Sequence, residues 1–293
     1  MPRATLPSGI ELEYDTFGDP ADPTLLLVCG YTSQMTTGWD EGLCAQFVAQ
    51  GLHVVRFDNR DVGLSTKIDG AVNPMKVMAA LRSGEEVPPV PYLLSDMAAD
   101  GIGLLDHLGV EQAHVAGVSM GGMIVQTMAI EHPERVLSLT SIMSTTGDPS
   151  VGQAAPEARD ALLAPPAMDR QGYIDAAPRY AVWASKRHLD LDAMRERAAR
   201  DFDRSFYPLG ATRQLAAIYA SGDRTEGLRG LEVATLVIHG RDDTLIVQSG
   251  GEATAAAIAG SKYMLLADMG HDLPRPLWPV FAEAIGGHAR TAT

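Results

Sequence analysis

The sequence has few cysteines, few basic residues and no long hydrophobic run. Its 293 residues include only two cysteines, Cys29 and Cys44, which excludes a fold held together by several disulfides. Each lies in or beside an apolar stretch, where a buried free thiol is the expected state, and this favours a reducing compartment. No stretch approaches the roughly 18 apolar residues of a membrane span, and the N-terminus lacks the basic-then-apolar order of a signal peptide. We therefore expect a cytoplasmic protein without stable membrane insertion.

Basic residues are also scarce relative to acidic ones. The chain carries 23 lysines and arginines against 37 aspartates and glutamates, which gives a formal net charge of −14. Such a protein would on average repel a phosphate backbone, and this argues against nucleic-acid binding. Apolar residues make up 46% of the chain and charged residues 20%, so the sequence can bury a sizeable core. The composition indicates a globular chain of the size of an enzyme.

Short apolar, β-branched runs recur along the chain and predict strands. The first, Glu11 to Phe17, alternates in polarity and is joined by a turn of glycine and prolines to residues 25–29, which suggests an antiparallel start. The later runs are typical of buried central strands, each next to a helical pattern. These later predicted strands are residues 53–57, 113–118, 137–142, 235–239 and 263–266. The pattern predicts an α/β fold with a mostly parallel central sheet flanked by helices.

Helix signals lie between the predicted strands. Ser95 is a candidate N-cap for a helix that Gly109 ends, and another helix begins at Met120 and is stopped by Pro133. A proline-rich interruption before the first of these helices predicts a loop with one short helix around residues 74–82.

The alternation of strands and helices stops between about residues 145 and 230. This stretch contains helical patterns, such as residues 192–204, but no strand pattern. We expect a helical cap of residues 145–230, inserted into a core domain of residues 1–144 and 231–293.

Ser119 lies at the centre of Gly-Val-Ser-Met-Gly, residues 117–121, between a predicted strand and a predicted helix. A sharp strand-to-helix turn strains the backbone of the central residue, and glycines on both sides leave room for the neighbouring segments. The Ser119 hydroxyl would project above the sheet, beside the N-terminus of the helix that begins at Met120, where an oxyanion is stabilised. A serine that only caps the helix would not need both glycines. We predict that Ser119 is a nucleophile.

A serine hydroxyl needs a base near neutral pH, and the base needs a carboxylate to orient it. His271 is in a loop after the last predicted strand, where catalytic groups collect in parallel sheets, and His239 is the weaker alternative. Asp242 and Asp243 follow the strand that ends at His239. We prefer Asp243 as the orienting acid, because Asp242 fits a solvated turn. The chain order Ser119, Asp243, His271 is typical of one fold.

These motifs together resemble the α/β-hydrolase-fold serine esterases. Residues 58–65 are similar to the family's Asp-x-Arg-Gly-x-Gly-x-Ser loop, in which we expect Asp58 and Arg60 to form a structural ion pair. More narrowly, residues 17–23 and 56–65 resemble the bacterial group that includes the aclacinomycin methylesterases and actinobacterial carboxylesterases classed as lipases. The resemblance supports the choice of acid and implies catalysis by the three residues named above.

The resemblance also implies an oxyanion hole made by the backbone N–H groups of Tyr31 and Met120. The sequence departs from the family pattern at Cys29, where histidine is common, and at Asp61, where glycine is frequent. The departure at Cys29 means that other hydrogen bonds must shape the Tyr31 loop. A nucleophilic thiol at Cys29 is a weak alternative to the serine.

These expectations point to a carboxylesterase that forms an acyl-enzyme on a small or medium, fairly apolar ester. No histidine or cysteine pair has metal-ligand spacing, so we expect neither a metal nor a cofactor. Candidate pocket residues are Met35, Trp39, Met143 and Trp183. The expected partner is the small ester itself, with the chain as a monomer or homodimer. A cofactor-free perhydrolase that uses the same triad, and a non-catalytic ligand-binding protein on the same scaffold, stay open.

Overall fold

An eight-stranded sheet runs through the computed structural model, which describes residues 1–292. Its strands are β1 (Arg3–Thr5), β2 (Glu11–Phe17), β3 (Thr24–Val28), β4 (His53–Phe57), β5 (Ala113–Val118), β6 (Val136–Ile142), β7 (Ala234–Gly240) and β8 (Lys262–Leu266). Their order in space is β1-β2-β4-β3-β5-β6-β7-β8. The strands from β4 to β8 in that order are parallel, whereas β1 and β2 are antiparallel to their neighbours. The predicted fold class is confirmed.

The central strands are buried on both faces of the sheet. Every residue of β3, β4 and β5 is buried, as expected for parallel strands covered by helices. Along β3, Leu26 and Val28 belong to one hydrophobic cluster and Leu25 and Leu27 to another. Because side chains alternate along a strand, each strand contributes to a core on each side of the sheet.

Two strand predictions need correction, and one strand was missed. Tyr263 to Leu266 lies in β8, which is an exposed edge strand and not a central one, and Tyr263 and Leu265 are 37% and 39% exposed. The apolar run suggested a strand between two others, but β8 has a partner strand, β7, on one side only. The antiparallel start is present, but β2 pairs with β4 instead of its sequence neighbour β3. The three-residue β1 is too short for its pattern to be recognised.

The helices cover the faces of the sheet and fill the segment between β6 and β7. They are α1 (Met35–Gly38), α2 (Glu41–Val48), α3 (Pro74–Ser83), α4 (Leu94–His107), α5 (Met120–Glu131), α6 (Pro156–Leu163), α7 (Arg170–Ala176), α8 (Leu191–Arg204), α9 (Pro208–Ser221), α10 (Thr225–Arg229), α11 (Ser249–Ala257) and α12 (Trp278–Ala292). Short 3₁₀ helices occupy Pro133–Arg135, Ala177–Val182, Lys186–His188 and Arg275–Leu277. Among the described helices, none is long and apolar enough to cross a membrane.

Helix α4 begins two residues earlier than the sequence suggested. Its N-cap is Leu93, whose backbone N–H donates to Asp96 Oδ2 at 2.7 Å. The prediction of Ser95 as the N-cap was therefore wrong, because the carboxylate in the first turn satisfies the end of the helix instead. The helix ends at His107, before Gly109 with its positive φ of 69°, as predicted.

Residues 145–230, which we call the insert, connect β6 to β7. The insert contains α6 to α10 and two 3₁₀ helices, and no strand is present among its residues, all of which the structure describes. The division of the chain into a core and a cap stays a prediction.

Asp61 fixes α9 of the insert to the loop after β4. Its carboxylate accepts bonds from Arg213 Nε at 2.8 Å, Arg213 Nη2 at 3.0 Å and the Tyr92 hydroxyl at 2.7 Å. Its φ of 69° is the conformation that glycine adopts most easily, which accounts for the glycine frequent here in the resembled family. The aspartate adds a buried bond to the insert at the cost of backbone strain.

Asp58 and Arg60 do not pair with each other, contrary to the prediction. Arg60 forms a bidentate pair with Asp100 of α4, at 2.6 and 2.8 Å. Asp58 accepts the backbone N–H of Met35 at 2.8 Å and pairs with Arg204 Nη1 of α8 at 2.7 Å. The two side chains leave the loop toward different helices, so each has its own partner.

We predict that Asp100→Ala lowers the free energy of unfolding by about 3–5 kcal/mol, because it leaves the Arg60 guanidinium buried without its carboxylate. Asp106→Ala is a matched control on the same helix, because Asp106 also pairs with an arginine, Arg135, but its side chain is 60% exposed. The control should lose about 1 kcal/mol or less. Urea denaturation of both variants measures the difference, and equal losses would contradict this assessment of the buried pair.

Candidate active site

Ser119 occupies a strained turn between β5 and α5. Its φ and ψ are 56° and −119°, outside the regions that non-glycine residues normally adopt. Both backbone polar groups of Ser119 are hydrogen-bonded. Its N–H donates to the Ile142 carbonyl at 2.9 Å, and its carbonyl accepts from Ser144 Oγ at 2.8 Å. The strand-turn-helix context that the sequence predicted is present.

The two glycines around Ser119 permit backbone contacts that a side chain would block. A Cβ on Gly117 would lie 2.1 Å from the Gly121 carbonyl oxygen, and a Cβ on Gly121 would lie 2.2 Å from the Val28 carbonyl oxygen. Neither contact can relax by moving a flexible side chain, because both involve main-chain atoms. The turn therefore requires glycine at both positions.

The structure brings Ser119, His271 and Asp243 together. His271 Nε2 lies 2.9 Å from Ser119 Oγ, and His271 Nδ1 lies 2.7 Å from Asp243 Oδ2. Asp243 Oδ1 accepts the backbone N–H groups of Leu245 and Ile246 at 2.8 and 2.9 Å. The Asp243 side chain is fully buried, so its carboxylate is fixed by two amides and one imidazole. This arrangement can pass a proton between the serine and the histidine.

His239, the alternative base, supports the turn after Asp243. Its ring is fully buried, and Nε2 contacts the Ile246 carbonyl oxygen at 2.8 Å and lies 3.6 Å from Asp243 Oδ2. Burial lowers the pKa of His239, which favours a neutral ring that donates from Nε2 to the carbonyl. Sequence reasoning missed this structural role, although the position of His239 at the end of β7 was visible.

The segments that carry Tyr31 and Met120 both adjoin Ser119. Met120 is the first residue of α5, and its N–H has no acceptor within that helix. Tyr31 follows Gly30, on which a Cβ would lie 3.3 Å from Ser119 Cβ. Burial close to Tyr180 and Tyr219 of the insert raises the pKa of Tyr31. The loop after β3 is thus enclosed between the serine turn and the insert.

Cys29 takes no polar part in this site through its thiol. The side chain is fully buried, and burial raises the pKa of the thiol far above neutral, which opposes a thiolate nucleophile. The Cys29 carbonyl accepts from Asn59 Nδ2 at 3.0 Å. This bond from Asn59 helps to shape the Tyr31 loop in a chain that lacks the family's common histidine at position 29.

Three of the four predicted pocket residues lie in the core. Met35 and Trp39 have no exposed surface and pack with the hydrophobic cluster that contains Phe47, so they offer a substrate no contact in this structure. Met143 is 3% exposed and belongs to the same cluster. An apolar residue after a strand has the same pattern whether it faces a core or a cavity, which explains the error. Trp183 is half-buried, and its carbonyl accepts the His271 N–H at 2.7 Å.

Ser144 is a site residue that sequence reasoning missed. It lies two residues beyond β6, and its hydroxyl donates to the carbonyl of Ser119. A Cβ on Gly122 would lie 2.5 Å from Ser144 Cβ, so the start of α5 packs tightly on this serine. The available signal was its position at the carboxyl end of a central strand, next to the serine turn.

Comparison with known proteins identifies the family. Residues 23–274 match the family described as alpha/beta hydrolase fold. The chain belongs to this family. Rhodomycin D methylesterase DnrP from Streptomyces peucetius is 28% identical, over 97% of this chain and 96% of its own length. The family match and this relative confirm the predicted resemblance and the prediction of an ester-hydrolase type of enzyme.

Two further comparisons bear on fold and on the alternatives. A Mycobacterium tuberculosis protein provisionally named non-heme bromoperoxidase BpoC is 26% identical, over 89% of this chain and 91% of its own length. The meta-cleavage product hydrolase CumD from Pseudomonas fluorescens IP01, solved as a mutant complexed with acetates, has a TM-score of 0.79. That match covers 100% of this chain and 98% of CumD at 17% identity, and it shows a shared fold.

We predict that Gly117→Ala prevents folding or lowers the free energy of unfolding by about 3 kcal/mol or more, because the added carbon would overlap the main chain of residue 121. Gly230→Ala is the matched control, since its added carbon would meet the Gly227 carbonyl oxygen at an ordinary 3.5 Å. Thermal and urea unfolding compare the two variants. A stable Gly117→Ala protein would refute the proposed requirement for glycine at position 117.

Proposed function

We propose that this protein is a serine carboxylic-ester hydrolase that acts through an acyl-enzyme. The observation that carries the proposal is the continuous contact from Ser119 Oγ through the His271 ring to Asp243, at 2.9 and 2.7 Å. When Nδ1–H donates to the buried carboxylate, Nε2 is left as the acceptor for the serine proton. This geometry is the one that converts a weak hydroxyl nucleophile into a reactive one.

In the first half of the reaction, Ser119 Oγ bonds to the ester carbonyl carbon as His271 Nε2 takes the hydroxyl proton. The carbonyl electron pair moves to oxygen, and the backbone N–H groups of Tyr31 and Met120 stabilise the resulting oxyanion. When the carbonyl re-forms, the bond to the leaving alkoxy group breaks, and His271 donates its proton to the departing alcohol. An acyl-Ser119 ester remains.

In the second half, a water molecule replaces the alcohol. His271 removes a proton from the water as the oxygen bonds to the acyl carbon, and the bond to Ser119 Oγ then breaks with return of the proton to the serine. Asp243 keeps the imidazole in the required tautomer and stabilises its charged form throughout. The two hydrogen bonds that it accepts from backbone N–H groups keep the carboxylate in place while the charge of the ring changes.

We infer a small or medium, fairly apolar ester as the substrate, with the insert as a cap over the site. Trp183 and Tyr180 stack at 5.1 Å in the insert, and the backbone carbonyl of Trp183 accepts the His271 N–H, so this aromatic pair belongs to a segment that contacts the loop carrying His271. Aromatic side chains suit an apolar acyl or alcohol group. The 28% identity to a methylesterase supports the same class of substrate.

We predict that Ser119→Ala lowers kcat/KM for p-nitrophenyl esters by at least about 10⁴-fold, because the acyl-enzyme cannot form. A series of acyl chain lengths with the wild type sizes the acyl site by its optimum. Ser150→Ala, which replaces an exposed serine of the insert, is the matched control and should keep wild-type turnover. Turnover retained by folded Ser119→Ala would exclude this mechanism.

A perhydrolase is the second candidate, because it would use the same three residues and the chain is similar to BpoC. In that reaction hydrogen peroxide takes the place of water and attacks the acyl-enzyme, which yields a peracid. Peroxide-dependent bromination of a dye, measured beside ester hydrolysis on one preparation, separates the two. A bromination rate above the rate of ester hydrolysis would favour the perhydrolase. Bromination that persists in Ser119→Ala would exclude it.

A further inference from the structure

The insert holds the backbone of the loop that carries His271. The His271 N–H donates to the Trp183 carbonyl at 2.7 Å, and the Gly270 N–H donates to Ser185 Oγ at 2.9 Å. On the other side, Asp272 Oδ1 accepts the Ser185 N–H at 3.0 Å and also the Ser185 hydroxyl proton. Three consecutive loop residues are therefore bonded to residues 183 and 185.

These bonds lie in a tightly packed contact. A Cβ on Gly270 would lie 2.4 Å from the Trp183 carbonyl oxygen and 2.6 Å from the Ser185 nitrogen, so the two backbones touch directly. Ser185 has no exposed surface. Asp272 is half-buried, and burial raises the pKa of its carboxyl. Because Ser185 is buried, loss of its hydroxyl would leave the Gly270 N–H without this acceptor.

The core holds the loop on either side of these residues. The Met269 carbonyl accepts the Asp242 N–H at 2.9 Å, and the Leu273 carbonyl accepts the Trp278 indole N–H at 2.9 Å. The residues between them are those that the insert holds. The strand before the loop, β8, lies at the edge of the sheet and pairs with β7 alone.

We propose that Ser185 is a positioning residue for His271, through which the insert sets the distance between the imidazole and Ser119. This proposal rests on the proposed function, since it concerns the base of that reaction. Ser185 joins Gly270 to Asp272 through one hydroxyl, which accepts from the first and donates to the second. The ring between them is thereby held at 2.9 Å from Ser119 Oγ. Catalysis thus depends on an insert residue that does not touch the reacting atoms.

The test compares two serines of the insert, each of which bonds to the core. Ser185→Ala should lower kcat for p-nitrophenyl ester hydrolysis by about 10- to 100-fold with little change in KM, because a shift of about 1 Å in a catalytic group has an effect of this size. Ser205→Ala removes a hydroxyl that donates to the Gly63 carbonyl, away from the histidine loop, and should change kcat by less than about twofold.

A second pair of variants keeps the test valid if Ser185→Ala folds poorly. Asp272→Asn preserves the Oδ1 acceptor for both Ser185 donors, and Asp272→Ala removes it. Asp272→Asn should recover most of the kcat that Asp272→Ala loses. The double variant Ser185→Ala with Asp272→Ala should lose no more than the larger single loss, because both changes break one contact.

The outcomes separate this proposal from the proposed function. Equal kcat for Ser185→Ala and Ser205→Ala, or a loss confined to KM, would overturn the positioning role while an inactive Ser119→Ala still supports the esterase. Additive losses in the double variant would also overturn it. Full turnover by Ser119→Ala would instead exclude the proposed function itself. A kcat loss specific to Ser185→Ala and Asp272→Ala, with recovery by Asp272→Asn, supports the role.

Discussion

The strained backbone of Ser119 is the constraint on which the rest of the site depends. A φ of 56° at a residue with a side chain persists only when its surroundings enforce it, and here Gly117 and Gly121 permit the close backbone contacts that do so. The parallel sheet adds the second requirement, because the segments after β5, β7 and β8 reach the same edge. As a result, Ser119, Asp243 and His271 meet although they are far apart in the chain.

Two ion pairs with buried carboxylates join the insert to the loop after β4. Arg213 of α9 reaches the carboxylate of Asp61, and Arg204 of α8 reaches that of Asp58. Such buried ion pairs offer little net stability, because both charges are desolvated, but a broken pair is costly. They therefore favour one orientation of the insert. The contacts of Ser185 with Gly270 and Asp272 connect the insert to the loop that carries His271.

The sequence predicted the parts that depend on local pattern: the parallel strands, α5 and the three converging residues. The sequence-based predictions were wrong for residues whose role depends on which neighbours their side chains contact in the folded chain. Met35 and Trp39 were predicted to line a pocket, because an apolar residue gives the same sequence pattern whether it packs in a core or lines a cavity. The Asp58 and Arg60 pairing failed for a related reason, since two charges close in sequence can turn to different helices. The Ser185 contact joins residues 85 positions apart and has no local signal.

The central claim is that His271 activates the Ser119 hydroxyl, and covalent trapping tests it most directly. A fluorophosphonate phosphonylates an activated serine with loss of fluoride, and peptide mass spectrometry locates the adduct. We expect the label on Ser119, with a rate at least about 100-fold lower in His271→Ala, as for the loss of a general base. A label on another residue, or an equal rate in folded His271→Ala, would contradict the claim.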